Sequence, residues 1–302
     1  MTRPEVASLD SLATELITIR DLFRYAVSQF GAARLVYGHG TTNAEDEAAF
    51  IVLETLHLPA ASLQSMLDAR LLLHERRRVL EMIELRVSLR KPAAYLVHKS
   101  YIRGVPFYVD ERTIVPRSFI GHMLQSEVVC GQVGALIANP SQVRRVLDLC
   151  TGSGCLAILA AARFPHASID AVDLSGEALA VAEINVRESG LVDRIRLFEG
   201  DLFAPLAGER YDLILSNPPY VSAADMAALP EEYRREPSMA LAGGADGLDF
   251  VRRILRAAPA HLTGNGGLLC EIGAGREQLE AEFPRVSFRW LESDAVFWVA
   301  QP

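Results

Sequence analysis

The sequence has few cysteines and histidines, and their spacing matches no metal-binding pattern. None of the four cysteines, Cys130, Cys150, Cys155 and Cys270, belongs to a Cys-x-x-Cys pair, which disfavours a zinc site or a disulfide framework. The seven histidines are scattered along the chain without the close spacing of metal ligands. We therefore predict that the protein has no metal site and keeps its thiols reduced, as cytoplasmic proteins do.

Long apolar runs and a net positive charge are also missing. No apolar stretch approaches the roughly 20 residues that a membrane-spanning helix needs, and no basic region followed by an apolar run indicates a signal peptide. We expect a cytoplasmic protein that makes no membrane contact. The net charge of −8 and the pI near 5.5 disfavour direct nucleic-acid binding and would suit a basic protein partner.

With 302 residues, the chain exceeds the usual size of a single domain, and its first third predicts helices. Apolar residues recur at helical spacing over residues 9–30, and Asn43 followed by three acidic residues is a typical helix start. A further helical pattern covers residues 74–89. We predict an N-terminal helical domain over residues 1–94 and assign it to substrate recognition, because it contains no catalytic constellation.

The pattern changes after this helical region. Residues 95–117 contain β-forming residues interrupted by Gly104 and Pro106, which predicts a β-hairpin linker. An apolar helix is then predicted over residues 119–136.

Strands and helices alternate in the remaining sequence, which is typical of a largely parallel sheet covered by helices. The predicted strands cover residues 146–149, 169–172, 195–199, 213–216 and 267–272, followed by paired strands at 286–290 and 296–299. Helices are predicted at 156–164, 176–188 and 249–260. The fold class is therefore a doubly wound, mostly parallel α/β sheet of the Rossmann-like kind, forming a catalytic domain over residues 118–302.

A glycine-rich loop follows the first of these strands. Gly152 and Gly154 allow the backbone to approach a ligand without interference from a Cβ atom. Their spacing also satisfies the dinucleotide-binding fingerprint, with Asp173 at a suitable distance. Asp148 in the preceding strand favours S-adenosylmethionine instead, because a carboxylate there can bind the amino-acid end of that ligand but would repel a pyrophosphate.

Acidic residues also follow the next two strands. Asp173 ends the second strand, where its carboxylate can accept hydrogen bonds from both ribose hydroxyls; the alternative is a cap for the helix that begins near Ser175. Asp201 follows the third strand and could accept the adenine amine while Leu202 or Phe203 covers the ring.

The segment Asn217-Pro218-Pro219-Tyr220 is the strongest motif in the sequence. Its prolines fix the backbone at the carboxyl end of the fourth strand, where open α/β sheets bind ligands. A planar amide or ring amine is a poor nucleophile. The Asn217 side-chain oxygen and the Pro218 carbonyl would accept its two hydrogens and aim its nitrogen at a methyl group. Tyr220 supplies a flat face for the acceptor, so we predict that Asn217, Pro218 and Tyr220 are catalytic.

These motifs, preceded by Val115-Pro-Arg-Ser118, resemble the protein-glutamine methyltransferases over nearly the whole chain. The resemblance implies an S-adenosylmethionine-dependent enzyme that methylates the side-chain amide nitrogen of a glutamine. It places Asn217, Pro218, Pro219 and Tyr220 around the glutamine, and we add Arg117 to this substrate-binding set. The residues that we assign to the cofactor are Asp148, Cys150, Thr151, Gly152, Ser153, Gly154, Asp173, Asp201, Leu202 and Asn217.

Two branches of this family compete. One methylates peptide release factors, and the other methylates large-subunit ribosomal protein three. Residues 37–47 and 56–59 resemble the N-terminal domain of the ribosomal branch, and Cys150, where the release-factor branch usually has glycine, favours the same branch. We therefore predict a glutamine methyltransferase of ribosomal protein three. Release-factor methylation and nucleic-acid adenine methylation stay as alternatives, although the acidic charge disfavours the second.

The roles of two further features are open at this point. Arg117 either pairs with a carboxylate near the cofactor or lies at the hairpin exit. The long segment 221–247 contains Glu231, Glu232 and Glu236, which as a hypothesis could meet a basic ribosomal protein; the alternative is a solvated acidic loop.

Overall fold

The computed structural model describes residues 8–129, 135–291 and 294–301, which fall into two compact units. The chain up to Lys99, together with Pro230–Arg235, forms the first, here called the helical unit. The second, here called the sheet unit, consists of Ser100–Leu229 and Glu236–Pro302. The hairpin therefore belongs to the sheet unit, whereas the sequence indicated a separate linker. As a division of roles, the three predicted domains stay a prediction.

In its described part, the helical unit contains several α-helices whose starts follow from local capping. Asn43 caps α3 by accepting a hydrogen bond from the amide of Asp46, as predicted. The helical spacing over residues 9–30 belongs to two helices, because Thr18 and Asp21 form a capping box that starts the second. The helices are α1 (Leu9–Glu15), α2 (Ile19–Ala33), α3 (Ala44–Thr55), α4 (Leu63–Met66), α5 (Leu73–Leu89) and α6 (Ala93–Val97).

The core of the helical unit encloses charged groups as well as apolar side chains. Arg86 of α5 is fully buried, and its Nε lies 2.7 Å from Oε1 of Glu47. Glu232 is also fully buried: it accepts a hydrogen bond from the amide of Val36 at 2.9 Å and pairs with Arg90 at 2.6 Å. A buried, paired carboxylate is not available to a partner, so the hypothesis that Glu232 meets a ribosomal protein is wrong.

The sheet unit begins with an antiparallel hairpin, β1 (Ser100–Ile102) and β2 (Val105–Phe107), as predicted. The next helix, α7 (Phe119–Met123), is much shorter than predicted. It ends because the amide and the hydroxyl of Ser126 both donate to the carbonyl oxygen of Met123. Residues 130–134 of the predicted helix lie outside the described residues.

A mixed seven-stranded sheet forms the centre of this unit in the described residues, in the order β5-β4-β3-β6-β7-β9-β8. Helices cover it, and none of the described helices is both long and apolar enough to cross a membrane. The strands are β3 (Arg145–Leu149), β4 (Ser168–Asp173), β5 (Ile195–Glu199), β6 (Tyr211–Ser216), β7 (Leu262–Glu271), β8 (Arg289–Leu291) and β9 (Val296–Ala300). The helices are α8 (Cys155–Arg163), α9 (Gly176–Glu188), α10 (Ala223–Ala228), α11 (Asp249–His261) and α12 (Arg276–Glu282).

The strand order confirms the predicted doubly wound fold and locates its switch point. From β3 the chain moves outward through β4 to β5, then returns to the other side of β3 as β6. These strands and β7 run parallel, whereas β9 and β8 are antiparallel at the edge. The predicted strand at 286–290 is correct only in part, since β8 begins at Arg289. Ligands bind at the carboxyl ends of strands beside such a switch point, here β3 and β6.

Candidate functional site

The loop after β3 lies at the switch point, and three of its residues have left-handed backbone conformations. Cys150, Gly152 and Gly154 have φ angles of 58°, 56° and 79°. For a cysteine this conformation costs about 1–3 kcal/mol, a strain typical of functional loops. A Cβ atom on Gly154 would lie 3.2 Å from the Cβ of Ala182 in α9. The backbone angle of Gly154 therefore favours glycine, and an added Cβ would also be tightly packed against α9.

Asp148 lies beneath this loop and is completely buried. Its Oδ2 accepts hydrogen bonds from the hydroxyl of Thr151 at 2.6 Å and from the amide of Ala157 at 3.0 Å, which ties the loop to the first turn of α8. Burial raises the pKa of Asp148 to about 7, because the charged form loses its hydration. Asp148 thus supports the loop, and its contact with the cofactor stays a prediction.

Asp173 connects the glycine-rich loop with the start of α9. Its Oδ2 accepts from the amide of Gly152 at 2.8 Å, and its Oδ1 accepts from the amide of Ser175 at 2.9 Å. Ser175 is the residue that caps α9, because its hydroxyl accepts from the amide of Ala178. The helix-cap alternative for Asp173 is therefore wrong. Burial raises the pKa of Asp173, and the ribose contact stays a prediction.

Asn185 of α9 is a structural residue of the site that sequence reasoning missed. It is buried, and its side-chain amide donates to the carbonyl oxygen of Ser153 at 2.9 Å. It also exchanges two hydrogen bonds with the backbone of Tyr108, at 2.7 and 3.0 Å. Asn185 therefore links the glycine-rich loop to the chain after the hairpin. An asparagine in mid-helix gives no sequence signal of such a contact.

Asn217 follows the last residue of β6, where β6 and β3 end side by side. The hydroxyl of Ser216 donates to the carbonyl oxygen of Leu149 at 3.1 Å, which joins the two strand ends. The Oδ1 atom of Asn217 is buried and has no hydrogen-bond partner among the described residues. An unpaired buried acceptor costs about 1–3 kcal/mol, so this atom indicates a place for a donor on a ligand.

A cleft opens at this end of the sheet, and all its lining residues belong to the sheet unit. It brings together Cys150, Gly152, Asp173, Asn217 and Pro219 of the predicted site. Apolar residues that sequence reasoning missed also line it, namely Ile114, Leu174, Met239 and Phe250.

A smaller pocket, here called the side pocket, adjoins this cleft. Both are lined by Ile114, Cys150, Gly152 and Asn217, so they share one wall. The side pocket is also lined by the predicted residues Thr151, Ser153 and Arg117. Asn217 therefore lies where the two cavities meet.

Tyr220 is packed tightly beside this site. A Cβ atom on Gly243 would lie 2.7 Å from the Cα of Tyr220, and one on Gly273 would lie 2.9 Å from its ring, so a larger residue at either position would force the structure around Tyr220 to shift. The Tyr220 hydroxyl lies 3.5 Å from Oε1 of Glu271. Burial and the charge of Glu271 raise the pKa of Tyr220 to about 12, which keeps the phenol neutral. Pro218 is buried, and the contacts of both residues with a substrate stay predictions.

Arg117 pairs with a carboxylate, which decides between the two alternatives for its side chain. Its two terminal nitrogens each lie 2.6 Å from an oxygen of Glu236. Glu236 is buried, so the hypothesis that it meets a ribosomal protein is wrong. Glu231 is a different case, since its side chain is about half exposed.

Asp201 and Leu202 lie after β5, as the sequence indicated. Leu202 is buried and has a left-handed φ of 52°. Asp201 is half exposed and pairs with Arg253 of α11 at 2.6 Å. Arg253 was missed by sequence reasoning, and the adenine contact of Asp201 stays a prediction.

Known proteins match this chain over most of its length. Residues 133–232 match the methyltransferase small domain. A ribosomal protein uL3 glutamine methyltransferase of Bradyrhizobium diazoefficiens is 56% identical over 291 residues, covering 95% of this chain and 91% of the relative. The chain belongs to this family of methyltransferases. Relatives with the same name from Bordetella pertussis and Burkholderia pseudomallei are 54% and 53% identical, over 92% and 93% of this chain and 92% of each relative.

Family membership confirms the resemblance that the motifs indicated, and the methyl donor is S-adenosylmethionine. The residues of the cleft fit this cofactor. Left-handed loop residues leave backbone accessible, Asp173 offers carboxylate oxygens near them, and Phe250 and Met239 supply apolar surface for a flat ring. Asn217, whose Oδ1 has no partner among the described residues, lines this space.

Proposed function

We propose that this protein transfers a methyl group from S-adenosylmethionine to the side-chain amide nitrogen of a glutamine in ribosomal protein uL3. The observation that carries the proposal is Asn217, which lines both the cleft and the side pocket and whose buried Oδ1 atom has no hydrogen-bond partner among the described residues. Relatives that match more than nine-tenths of the chain are named for this reaction, which supports the choice of substrate.

The cofactor would lie in the cleft, and the side pocket that adjoins it at Asn217 would take the acceptor glutamine. Asp173 would accept hydrogen bonds from the ribose hydroxyls, and Asp201 and Leu202 would lie toward the adenine. Cys150, Gly152 and Gly154 would present backbone to the amino-acid end, with Thr151 and Ser153 beside them and Asp148 as support beneath. When bound, S-adenosylmethionine supplies an electrophilic methyl group on a positively charged sulfur.

The acceptor amide is planar, and its lone pair is delocalised, so its orientation is the main task of the protein. Asn217 Oδ1 and the Pro218 carbonyl would accept its two N–H groups and favour the partly positive nitrogen that forms during transfer. Tyr220 and Pro219 would enclose its flat faces. The nitrogen can lose its proton after transfer, so no strong general base is required.

The helical unit is the proposed recognition region for uL3, as the predicted domain roles require. Of the three acids proposed for contact with a basic protein, only Glu231 keeps an exposed side chain. A cytoplasmic location fits a ribosomal substrate and is part of this proposal.

A parallel labelling experiment tests the proposed substrate. The purified protein is given methyl-labelled S-adenosylmethionine with undermethylated uL3, with unmethylated release factor and with unmethylated DNA. We expect label on uL3 alone, on a glutamine identified by mass spectrometry, and no label with Asn217→Ala. Label on release factor alone would reverse the choice of branch, and label on DNA would replace the amide acceptor by a base amine.

A further inference from the structure

Residues 115–119, here called the wall segment, supply one wall of the side pocket through Pro116, Arg117 and Ser118. The segment follows the hairpin, ends at the first residue of α7 and contains no strand that could hold it in the sheet. Its two ends are instead held by two buried carboxylates, Glu236 and Glu271, from distant parts of the sequence.

Glu236 holds the beginning of the wall segment by three hydrogen bonds. Its Oε1 accepts from the amide of Val115 at 2.9 Å and from Nη1 of Arg117 at 2.6 Å, while its Oε2 accepts from Nη2 of Arg117 at 2.6 Å. Glu236 is 4% exposed. A two-pronged pair of this kind fixes the direction of the guanidinium as well as its distance.

Glu271 holds the end of the wall segment. It ends β7, and its Oε2 accepts from the hydroxyl of Ser118 at 2.6 Å and from the amide of Phe119 at 3.0 Å. Its other oxygen, Oε1, is the atom 3.5 Å from the Tyr220 hydroxyl. Glu271 is 2% exposed and therefore contacts both the wall segment and the acceptor motif from inside the protein.

We propose that Glu236 and Glu271 are positioning residues that set the distance between the wall segment and Asn217, and so the width of the pocket in which the glutamine amide is aligned. The inference rests on the proposed function, because it assigns this pocket to the glutamine. Neither carboxylate touches the reacting atoms in this scheme. Each acts through the wall segment, and Glu271 also acts through Tyr220.

The physical basis is that alignment of a poor nucleophile is sensitive to small displacements. A shift of about 1 Å caused by a residue outside the reacting groups can reduce a rate about 100-fold. Hydrogen bonds to a carboxylate are roughly twice as strong as those between neutral groups. Two carboxylates at opposite ends hold a five-residue segment against both translation and rotation, which one could not do.

Glutamine substitutions test the proposal with little change in side-chain volume. In Glu236→Gln and Glu271→Gln, one acceptor oxygen remains and the charged, shared contacts are lost. We expect the kcat for uL3 methylation to fall about 10- to 100-fold, while the Kd for S-adenosylmethionine stays within about threefold. Glu183→Gln is the matched control, because Glu183 is exposed on α9 and pairs only with Arg187 among the described residues; its kcat should equal that of the wild type.

Counting the functional cofactor-binding sites distinguishes a positioning role of the two carboxylates from a role in folding alone. The number of cofactor-binding sites per chain is measured by titration, and kcat is expressed per binding-competent site. A wild-type kcat per competent site in both glutamine variants would overturn the proposal, whatever their melting temperatures. If Glu236→Gln does not fold, Arg117→Lys replaces it, because lysine keeps the charge but not the two-pronged contact.

Double substitutions test whether the contacts act together. Arg117→Lys with Glu236→Gln should lose no more kcat than the stronger single variant, because both break one contact. The same holds for Tyr220→Phe with Glu271→Gln. If the fold-losses in kcat of the single variants multiplied in both double variants, the residues would act independently, which would contradict the proposal. The wild-type protein separates the proposed function from the positioning role. If the wild type does not methylate uL3, the proposed function is contradicted. The variants are then compared on the acceptor that the wild type does label, which still tests the positioning role.

Discussion

The two sides of the active site are built differently, although they meet at Asn217. On the cofactor side, Asp148 holds residues three and nine positions along the chain, and Asp173 bonds to Gly152 only 21 residues away. On the acceptor side, Glu236 and Glu271 hold groups 119 to 153 residues away. The difference indicates that the cofactor loop depends mostly on local sequence, whereas the acceptor pocket depends on the assembled fold.

The largest effect that separates the two sides is expected for Asn217→Ala. Turnover should fall by about 10³-fold, because the variant loses an acceptor that is aimed at the developing charge, in the way that loss of an oxyanion-hole donor does. Cofactor affinity should stay within several-fold of the wild type. Steady-state kinetics with uL3 and calorimetric titration of the cofactor measure the two quantities. Near-normal turnover would contradict the acceptor role of Asn217.

Asp173→Ala should give the opposite result. Loss of the two charged hydrogen bonds to the ribose, at about 1.5–3 kcal/mol each, should weaken cofactor binding by at least about 100-fold. At saturating cofactor, kcat should stay within several-fold of the wild type. Unchanged affinity in the same titration would show that Asp173 only supports the loop through Gly152 and Ser175.

Gly154→Ala should produce a smaller change, confined to the cofactor side. In the variant, alanine has to adopt the left-handed φ of position 154, and its Cβ lies close to Ala182. Both effects should lower the free energy of unfolding, together by about 1–3 kcal/mol, and weaken cofactor binding. Gly190→Ala is a useful control, because Gly190 has a similar φ of 67° but an added Cβ would meet nothing within 4 Å. Equal destabilisation of the two variants, measured by urea unfolding, would show that the contact with Ala182 contributes nothing.

The smallest effect concerns pH. The pKa of Asp148 is raised in the folded protein to about 7, above its value in the unfolded chain, so its contribution to stability is fully present at low pH and is lost as the pH rises toward and through 7. The free energy of unfolding of the ligand-free protein should therefore fall between pH 6 and pH 8. Asp148→Asn should reduce that fall by about 1 kcal/mol. Parallel pH profiles for the two proteins, measured by denaturant unfolding, would contradict the raised pKa. Glu271, whose pKa burial also raises to about 7, should contribute in the same direction and remains in both proteins.

The sequence predicted much of the fold because its strands are apolar runs separated by clear turn residues. β3, β4, β5 and β6 lie within a residue or two of their predicted ranges. The predicted helix over 119–136 failed because apolar periodicity cannot detect the two bonds from Ser126 that end α7. Within the site, the glycine-rich loop and Asn217 were predicted correctly as parts of it because each belongs to a short motif of consecutive residues whose types indicate the chemistry.

Asn185, Glu236 and Glu271 were not found from the sequence as parts of the site. Each occurs in a segment whose local pattern is ordinary, and each acquires its role from contacts 32 to 153 residues away. Glu236 was interpreted as part of an acidic surface, because a single sequence does not show which carboxylates are buried against arginine. Pairing across the fold is the information that local patterns lack.

The discontinuity of the helical unit limits how this protein can vary by exchange of parts. Pro230–Arg235 is encoded within the catalytic half of the chain yet belongs to the helical unit, where Glu232 pairs with Arg90. In a chimera that takes only residues 1–99 from a relative, Glu232 of this protein would have to pair with the relative's residues in place of Arg90 and its surroundings. A viable exchange of the helical unit therefore has to include both residues 1–99 and Pro230–Arg235. For the same reason, substitutions in one of these segments constrain which substitutions the other can accept.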